Sequence, residues 1–541
     1  MSHARSFPSK QLLRQPTLWQ PALWLVFPAI FAVVLLAHLP LLRLPYYWDE
    51  AGYYIPAAYD FFRTGSLIPF STLSNAHPPL PSLYLALWWK LFTFAPWVTR
   101  LAMCAISAVA LLAVYRLALI TTGKSQVAMA TVGLTAFYPV WFAQSSLAHA
   151  DMVAAAATLW ALAFFFEKRL WAAVICVSLA AVAKETAIVT PVALAAWQAW
   201  LSLAHGKGKA SPGSHLRTAG MLMLSTVPLA CWYAFHWHRT GFVFGNPEYL
   251  RYNATATLTP LRVLLAFAHR VLHVTAHMNL FVPVLLMLAC MMLPPVDGRQ
   301  RISISDQLQF YVIILANLIF FSVLGGALLT RYLLPLYPLV LLVCVNTFYR
   351  RLRQWLYLVA LSAVAFLAGL FINPPYRFAP EDNLAYRDVI LLHQAAMRQI
   401  EAHYPGATVL SAWPATDELS KPELGYVTSP MQVASIDNFS LPQIEKAAQL
   451  NDPFTVGLIF STKYDPPHLP FSLGRRNEAM DTRFFDFHYD LPPEMIARLL
   501  GGKVVWRAER QGQWAALLHF DRPQVALETE HDNLPLHYNQ P

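Results

Sequence analysis

Two adjacent carboxylates, Asp49 and Glu50, lie among tyrosines and a tryptophan directly after the first long apolar run of the chain. Partial burial raises the pKa of a carboxyl group and a nearby cation lowers it, and either change suits a base that is poised for proton transfer. Tyr53, in the same aromatic stretch, is a candidate contact for a substrate. The alternative interpretation is that both acids only mark a helix start beside a belt of aromatic side chains at a membrane surface.

Two later segments carry a histidine or an acid at a helix start. His77 lies in an Asn-Ala-His-Pro-Pro sequence, whose prolines fix a bend and begin a helix. A simple turn therefore explains this histidine as well as a binding role does. Asp151 follows Ser-Ser-Leu-Ala-His-Ala and opens an alanine-rich run, where its carboxylate could serve only as a cap for free backbone N–H groups.

Cations stand near the ends of other apolar runs. Lys184 and Glu185 lie together between two runs, so the lysine could snorkel, pair with Glu185 or bind a lipid phosphate. Arg331 opens a late run in the sequence Thr-Arg-Tyr-Leu-Leu-Pro, and arginine makes bidentate contacts to phosphate. Acids and cations from distant segments thus predict a site for an anionic ligand.

Signatures of several other kinds of site are missing from the sequence. The five cysteines lie in or beside apolar runs, and their spacing matches no metal site. There is no Gly-x-Ser-x-Gly elbow and no glycine-rich phosphate loop. We therefore expect neither a metal nor another cofactor.

The composition indicates what must position these residues. Of 541 residues, 57% are hydrophobic and 13% are charged, with a mean hydropathy of +0.42. Soluble domains carry about 25% charged residues. The clustered apolar excess predicts a polytopic membrane protein. The net charge of +9 is attributed to basic cytoplasmic loops, and no nucleic-acid partner is expected.

The apolar runs follow one another along the first two-thirds of the chain, each near the roughly 20 residues that a helical span requires. A shorter, tryptophan-rich run, Leu80–Leu91, is expected to lie in the membrane interface. The count is about eleven, and the predicted spans are Pro21–Leu42, Trp97–Ile120, Val127–Gln144, Asp151–Phe166, Leu170–Ala187, Ile188–Ala204, Ala219–His236, His277–Leu293, Leu308–Leu324, Tyr332–Phe348 and Trp355–Phe371.

Lys and Arg residues cluster in alternate short connections, which predicts the orientation. With about eleven spans, residues 1–20 are cytoplasmic, residues 21–373 form the transmembrane domain and residues 374–541 form a domain on the outer, periplasmic side. The acids and cations of the predicted site all fall on that outer side. The expected location is a bacterial inner membrane.

The residues after Asn373 are polar and predict a small soluble α/β domain. Its predicted helices are Tyr386–Tyr404 and Leu441–Leu450. Its predicted strands are Thr408–Trp413, Phe454–Ser461 and a hairpin of Lys503–Glu509 with Trp514–Phe520.

The order of these motifs resembles that of the GT-C glycosyltransferases, and most nearly the group of protein O-mannosyltransferases and lipid A aminoarabinose transferases. The resemblance covers roughly residues 20–375. It implies a GT-C fold and transfer of a sugar from a polyprenyl-phosphate carrier, with inversion at the anomeric carbon. The expected partners are that donor, membrane lipids and an acceptor, which is lipid A or another glycolipid, a polysaccharide or a protein.

The resemblance also implies roles for the residues at these motifs. Asp49 is the candidate base, Glu50 orients the sugar or shares that role, and Asp151 is a second acidic site residue. The donor phosphate is expected to bind Lys184 and Arg331, with Arg270 as a weaker contact. Substrate contacts are expected from three further residues, His77, Glu185 and Tyr53.

Two other classes of protein fit part of the pattern. A transporter or flippase of lipid-linked sugars would be expected to show internal repeats and broken helices near the membrane midplane. No repeat is visible, and the ionisable residues lie at the outer ends of the runs. A structural or assembly protein would not need acids and bases from five separate segments on one side.

Overall fold

A computed structural model of the chain describes residues 22–204, 212–245, 247, 258–324, 326–450, 454–464, 478–485 and 487–521. The predicted cytoplasmic segment, residues 1–20, lies outside the described residues. The chain divides into two compact units, one of residues 1–390 with 463–487 and one of residues 391–462 with 488–541. The domain boundaries predicted from the sequence stay predictions.

The regular elements among the described residues of the first unit are all helical. Its α-helices are α1 (Ala22–His38), α2 (Ile55–Thr64), α3 (Leu80–Leu91), α4 (Pro96–Thr122), α5 (Ser125–Phe137), α6 (Pro139–Gln144), α7 (Ala150–Phe166), α8 (Leu170–Ala183), α9 (Val189–Ala204), α10 (Pro212–Met223), α11 (Thr226–Thr240), α12 (Pro260–Thr275), α13 (Phe281–Met291), α14 (Ile304–Val323), α15 (Tyr337–Arg351) and α16 (Leu356–Phe371). Single helical turns of other types lie between them, at Glu50–Tyr54, Glu185–Ile188, His277–Asn279, Thr330–Leu333 and Pro380–Asp382.

Four helical stretches of the described part are long and apolar enough to cross a membrane, and a bent pair of helices adds a fifth if it counts as one span. Five further apolar helices are shorter. The predicted count of about eleven is therefore not confirmed, although the predicted runs are helical. The four long stretches are Pro96–Thr122, Glu185–Ala204, Gly213–Thr240 and Ile304–Val323.

Some predicted spans are interrupted, and each interruption has a local cause. The run Val127–Gln144 divides between α5 and α6 at Pro139, because proline lacks the N–H that would continue the helix. The run His277–Leu293 becomes regular only at Phe281. Ahead of it, Met278 and Asn279 have positive φ angles of 46° and 66°, and the chain bends by 97° between the flanking helices.

Several helical segments were not predicted, among them the turn Glu50–Tyr54, α2 and α12. A π-helical turn, Glu50–Tyr54, leads directly into α2, and such turns recur at functional sites. The long connection after α11 contains α12, which buries Arg262, Ala266 and Arg270 at four-residue spacing on one face. The predicted interfacial segment Leu80–Leu91 is helical with the predicted bounds.

Small side chains allow the central helices to approach closely. Helix α7 packs on both α4 and α8 through small buried side chains, and Val153, Ala154 and Ala183 form one such contact. Small residues at helix interfaces are typical of membrane proteins, in which close van der Waals packing replaces hydrophobic burial. This packing brings the start of α7 beside the end of α8.

The second unit contains the end of α17 (Ala385–His403), followed by α18 (Ala415–Ser420), α19 (Leu441–Ala448) and α21 (Pro493–Leu500), whereas α20 (Glu478–Phe485) belongs to the first unit. Its strands are β1 (Val409–Ala412), β2 (Val433–Ile436), β3 (Val456–Phe460), β4 (Gly502–Arg510) and β5 (Gln513–Phe520). The sheet order is β2-β1-β3-β5-β4, in which β1 runs parallel to β2 and β3, and β5 runs antiparallel to β3 and β4.

The predicted strands and hairpin of this unit are present, whereas β2, α18 and α21 were not predicted. The hairpin closes over Gln511 and Gly512, whose φ angles of 46° and 82° are both positive. Two positive φ angles in a two-residue loop match the twist of the paired strands.

Candidate active site

Arg331 lies at the centre of a buried cluster of charges. It belongs to the Thr330–Leu333 turn and is only 2% exposed. Its Nη2 donates to Asp49, its Nη1 donates to Glu381 Oε2 at 2.5 Å, and its Nε lies 3.4 Å from Asp151 Oδ2. One guanidinium thus joins carboxylates from three distant parts of the chain.

Lys184 supplies the second cation. It ends α8 in an extended conformation, and its Nζ lies 2.5 Å from Asp151 Oδ1 and 4.1 Å from the centre of the Tyr332 ring. Asp151 therefore faces two cations at once, and among the described residues its carboxylate contacts these cations rather than backbone amides of α7. The interpretation of Asp151 as a cap alone is not supported.

A shallow groove opens beside these charges. Its polar end is formed by Asp151, Lys184 and Arg331. The remainder is mostly small or apolar and includes Ala154, Ala155, Thr158, Thr186, Ala187, Thr190, Asn317, Phe321, Tyr332 and Pro335. The groove therefore places two cations and a carboxylate next to small and apolar side chains.

The two acids of the first connection have different surroundings. Glu50 is fully buried, and its carboxylate accepts from both Nη atoms of Arg100 at 2.5 and 2.9 Å and from the backbone N–H groups of Tyr47 and Ala148 at 2.8 and 2.5 Å. Glu50 thus links the connection that contains Tyr47 and the connection that contains Ala148 to helix α4. Asp49, at 21% side-chain exposure, is far more accessible than Asp151 at 3%. The structure thus leaves Asp49 partly accessible and places Glu50 in the protein interior.

The remaining substrate candidates border the same cluster. His77 Nδ1 lies 2.9 Å from Glu185 Oε2, and the Tyr54 ring stacks on His77 with centroids 5.9 Å apart. Tyr54 also meets His149 at 5.7 Å, and His149 lies within 3.4 Å of Arg331. Tyr53 is half-buried in the neighbouring π-helical turn. His77 and Glu185 are therefore linked to Arg331 through Tyr54 and His149.

Arg270 lies at the edge of this network. It is completely buried, its Nη1 donates to the backbone oxygen of Leu329 at 2.6 Å, and its guanidinium carbon lies 5.6 Å from the Tyr332 ring centre. Within the described ranges its Nε and Nη2 have no hydrogen-bond partner. It therefore flanks the turn that carries Arg331, with two guanidinium nitrogens unpaired among the described residues.

Three residues of the network were not predicted from the sequence. His149 is buried, its Nδ1 lies 2.8 Å from Gln144 Oε1, and burial, together with Arg331, Lys184 and Arg100, holds its pKa well below the usual value. It is therefore a neutral imidazole.

The other two missed residues are Glu381 and Asp382, which follow the last membrane helix. Asp382 Oδ2 lies 2.9 Å from His277 Nε2, and its Oδ1 accepts from Thr330. They resemble Asp49 and Glu50 in being two adjacent acids soon after an apolar run, and this repetition is the signal that could have revealed them.

No group of three or more His, Cys, Asp or Glu side chains among the described residues is arranged to hold a metal ion. The carboxylates of the cluster converge on Arg331 and Lys184 instead. The arrangement can bind an anion with two cations and present an accessible carboxylate beside it.

Comparison with known proteins identifies the fold. The family model of dolichyl-phosphate-mannose-protein mannosyltransferases matches residues 76–232. The crystal structure of ArnT from Cupriavidus metallidurans bound to undecaprenyl phosphate aligns with a TM-score of 0.54 at 15% identity, over 92% of this chain and 98% of that chain. The chain has the GT-C fold. The apo state of the same ArnT aligns with this GT-C chain at a TM-score of 0.51 and 15% identity, over 91% and 97% of the two chains.

A weaker structural likeness is to the S. cerevisiae protein O-mannosyltransferase Pmt1-Pmt2 complex bound to the sugar donor, with a TM-score of 0.34 and 15% identity, over 45% of this GT-C chain and 37% of that chain. None of the curated proteins matches in sequence. The predicted resemblance to GT-C glycosyltransferases of the protein O-mannosyltransferase and ArnT type is confirmed. Family match and fold together support a multi-pass membrane glycosyltransferase. The matched range includes His77, Asp151, Lys184 and Glu185.

Proposed function

We propose that this GT-C protein transfers a sugar from a polyprenyl-phosphate-linked donor to an acceptor on the periplasmic face of a bacterial inner membrane, with inversion at the anomeric carbon. One observation carries the proposal: the accessible carboxylate of Asp49 shares Arg331 with the buried Asp151, beside Lys184 and an apolar groove. The ArnT structure of the same fold is described as bound to undecaprenyl phosphate, which supports a lipid-linked phosphate as the ligand.

The chemistry needs a single base. The acceptor hydroxyl attacks the anomeric carbon as the bond from that carbon to the phosphate oxygen breaks, and the bonding electrons leave with the polyprenyl phosphate. Asp49 takes the proton of the acceptor hydroxyl. Because the leaving group is already a phosphate, the paired acid and base of a glycoside hydrolase are not required.

The two cations stabilise the charge that grows on the leaving phosphate. Arg331 and Lys184 are buried, so their attraction for an anion is only weakly screened by water. Arg270, on the flank of the same turn, offers two further N–H donors to the phosphate. The apolar end of the groove accommodates the first isoprene units of the carrier.

The other residues act through position. Asp151 holds Lys184 and Arg331 at a fixed separation, and Glu50 holds the connection that carries Asp49. His77, Glu185 and Tyr53 border the cluster and contact the sugar or the acceptor. The acceptor is a lipid A or other glycolipid, a polysaccharide or a protein.

Transfer from a pool of radiolabelled polyprenyl-phosphate sugars by the purified full-length protein, with envelope extract as acceptor, tests this proposal. Label should move with wild type and with the matched control Asp297→Asn, an exposed acid after α13, but not with Asp49→Asn. If folded wild type consumes no carrier, the glycosyltransferase proposal is wrong. Movement of an intact lipid-linked sugar across proteoliposomes would then establish a flippase.

A further inference from the structure

Glu381 brings a third carboxyl group to the cluster. It lies on the Pro380–Asp382 turn with a side chain only 4% exposed. Its Oε2 accepts from Arg331 Nη1 at 2.5 Å. Its Oε1 is buried and, as far as the structure describes the chain, has no hydrogen-bond partner. A buried polar atom of this kind points to a ligand, because such atoms are nearly always hydrogen-bonded.

The balance of charge separates Glu381 from the other two acids. Arg331 and Lys184 are matched in number by Asp49 and Asp151. An ionised Glu381 would add a third negative charge beside Asp49 and Asp151 in a buried site, and a donor phosphate would add another. Burial raises the pKa of Glu381 to about 8, against the lowering effect of Arg331 and with the help of Asp49, Asp382 and Asp151. At neutral pH this carboxyl group is mostly uncharged.

A neutral carboxyl group has an O–H that must donate. Oε2 already accepts from Arg331, so the proton belongs on Oε1. A phosphate that binds Arg331 brings non-bridging oxygens to the same place, and these are strong acceptors. Buried carboxylic acids that stay neutral in order to donate a hydrogen bond are an established device of enzymes.

We propose that Glu381 is a further donor-binding residue, which accepts from Arg331 with one carboxyl oxygen and donates from the other to a phosphate oxygen of the polyprenyl-phosphate sugar. The inference rests on the function proposed above. It extends the phosphate site to the segment beyond the last membrane helix.

Several charged or titratable groups face Glu381. Those nearest are Arg331 on its turn, Asp49 and Tyr47 from the first connection, Asp151 and His149 at the start of α7, and the adjacent Asp382. Burial holds the pKa of His149 well below its usual value. Burial also holds the pKa of Tyr47 well above its usual value. The pKa of Glu381, in contrast, falls inside the range from pH 7 to pH 9.

Binding of a polyprenyl methyl phosphate to the full-length protein in micelles tests the inference, because this diester keeps one negative charge at every pH used. The affinity of wild type should fall about tenfold from pH 7 to pH 9 as Glu381 ionises. Glu381→Gln, which keeps a donor and an acceptor, should bind at pH 7 within about threefold of wild type and lose the pH dependence. Glu381→Ala should bind about tenfold or more weakly at pH 7.

The matched control is Glu423→Gln, at an exposed acid of the second unit, which should follow the wild-type pH profile. A flat wild-type profile, tighter binding by Glu381→Ala, or equal loss in the Gln and Ala variants would each overturn the inference and leave the proposed function intact. No binding by wild type at pH 7 would refute the proposed donor, and the inference with it.

Discussion

Asp382 and Thr330 form a buried hydrogen bond, in which the Thr330 hydroxyl donates to the carboxylate. Their neighbours in the sequence, Glu381 and Arg331, are also hydrogen-bonded to each other, with Glu381 as the acceptor. Two consecutive acids therefore bind two consecutive residues of one turn. Asp382 also lies 2.9 Å from His277, at the bend between α12 and α13. Asp382 thus connects the turn that carries Arg331 to that bend, and both contacts help to position Arg331.

Asp382→Asn should loosen this arrangement. The amide cannot accept from both Thr330 and His277 as the carboxylate does, so we expect a loss of about 1–3 kcal/mol in stability. The shift of the thermal unfolding midpoint in micelles, relative to wild type, measures this loss of stability. An unchanged midpoint with unchanged transfer would show that the hydrogen bonds of Asp382 do not support the turn.

Asp49→Asn should lower kcat for sugar transfer by about 10²–10⁴-fold, the usual contribution of a general base. The asparagine keeps the size of the side chain, so the affinity for a sugar-free polyprenyl phosphate should change much less than kcat. Single-turnover transfer and equilibrium binding separate the two effects. A variant that retains most of the wild-type kcat would rule out Asp49 as the base.

Lys184→Ala should weaken the binding of polyprenyl phosphate by about 10–100-fold, because it removes a charge-assisted contact and leaves Asp151 with one cation fewer. Equilibrium binding at fixed ionic strength provides the measurement. Lys184→Arg retains the charge and serves as the matched variant, with a smaller loss expected. Equal affinity for wild type and the alanine variant would place the phosphate elsewhere.

Glu50→Gln should act on folding rather than on chemistry. The carboxylate accepts two hydrogen bonds from Arg100, and breaking one side of a buried ion pair costs about 3–5 kcal/mol. We expect a lower unfolding temperature and a lower yield of monodisperse protein. If Glu50→Gln instead unfolded like wild type but lost transfer selectively, Glu50 would have a direct role in the reaction.

The sequence alone predicted that the membrane part is helical, and it predicted most of the residues of the site. Both predictions rest on local patterns, namely apolar runs of span length and the acids at their ends. The sequence was not sufficient for the bend at Met278, where two residues adopt positive φ without a glycine. Nor did it reveal which acid pairs with which cation, since Arg100 binds Glu50 through contacts between separate helical segments.

Glu381 and Asp382 were missed for a different reason. They lie in a polar stretch that was assigned to the outer domain, where acids are common and carry little information. Only the folded chain shows that this stretch returns to Arg331. The strand β2 was missed because its residues, Val433–Ile436, show no clear alternation of apolar and polar side chains.

The pair of Arg331 and Asp49 also has a consequence for biosynthesis, because 282 positions separate the two residues along the chain. At a synthesis rate of about 5–20 residues per second, Asp49 emerges roughly 15–55 seconds before its partner. Lys184 reaches Asp151 after only 33 positions, so that pair can close early. Until Arg331 arrives, Asp49 has to stay hydrated at the edge of the bilayer. Chains that stop short of Arg331 would therefore expose an unpaired acid to membrane quality control.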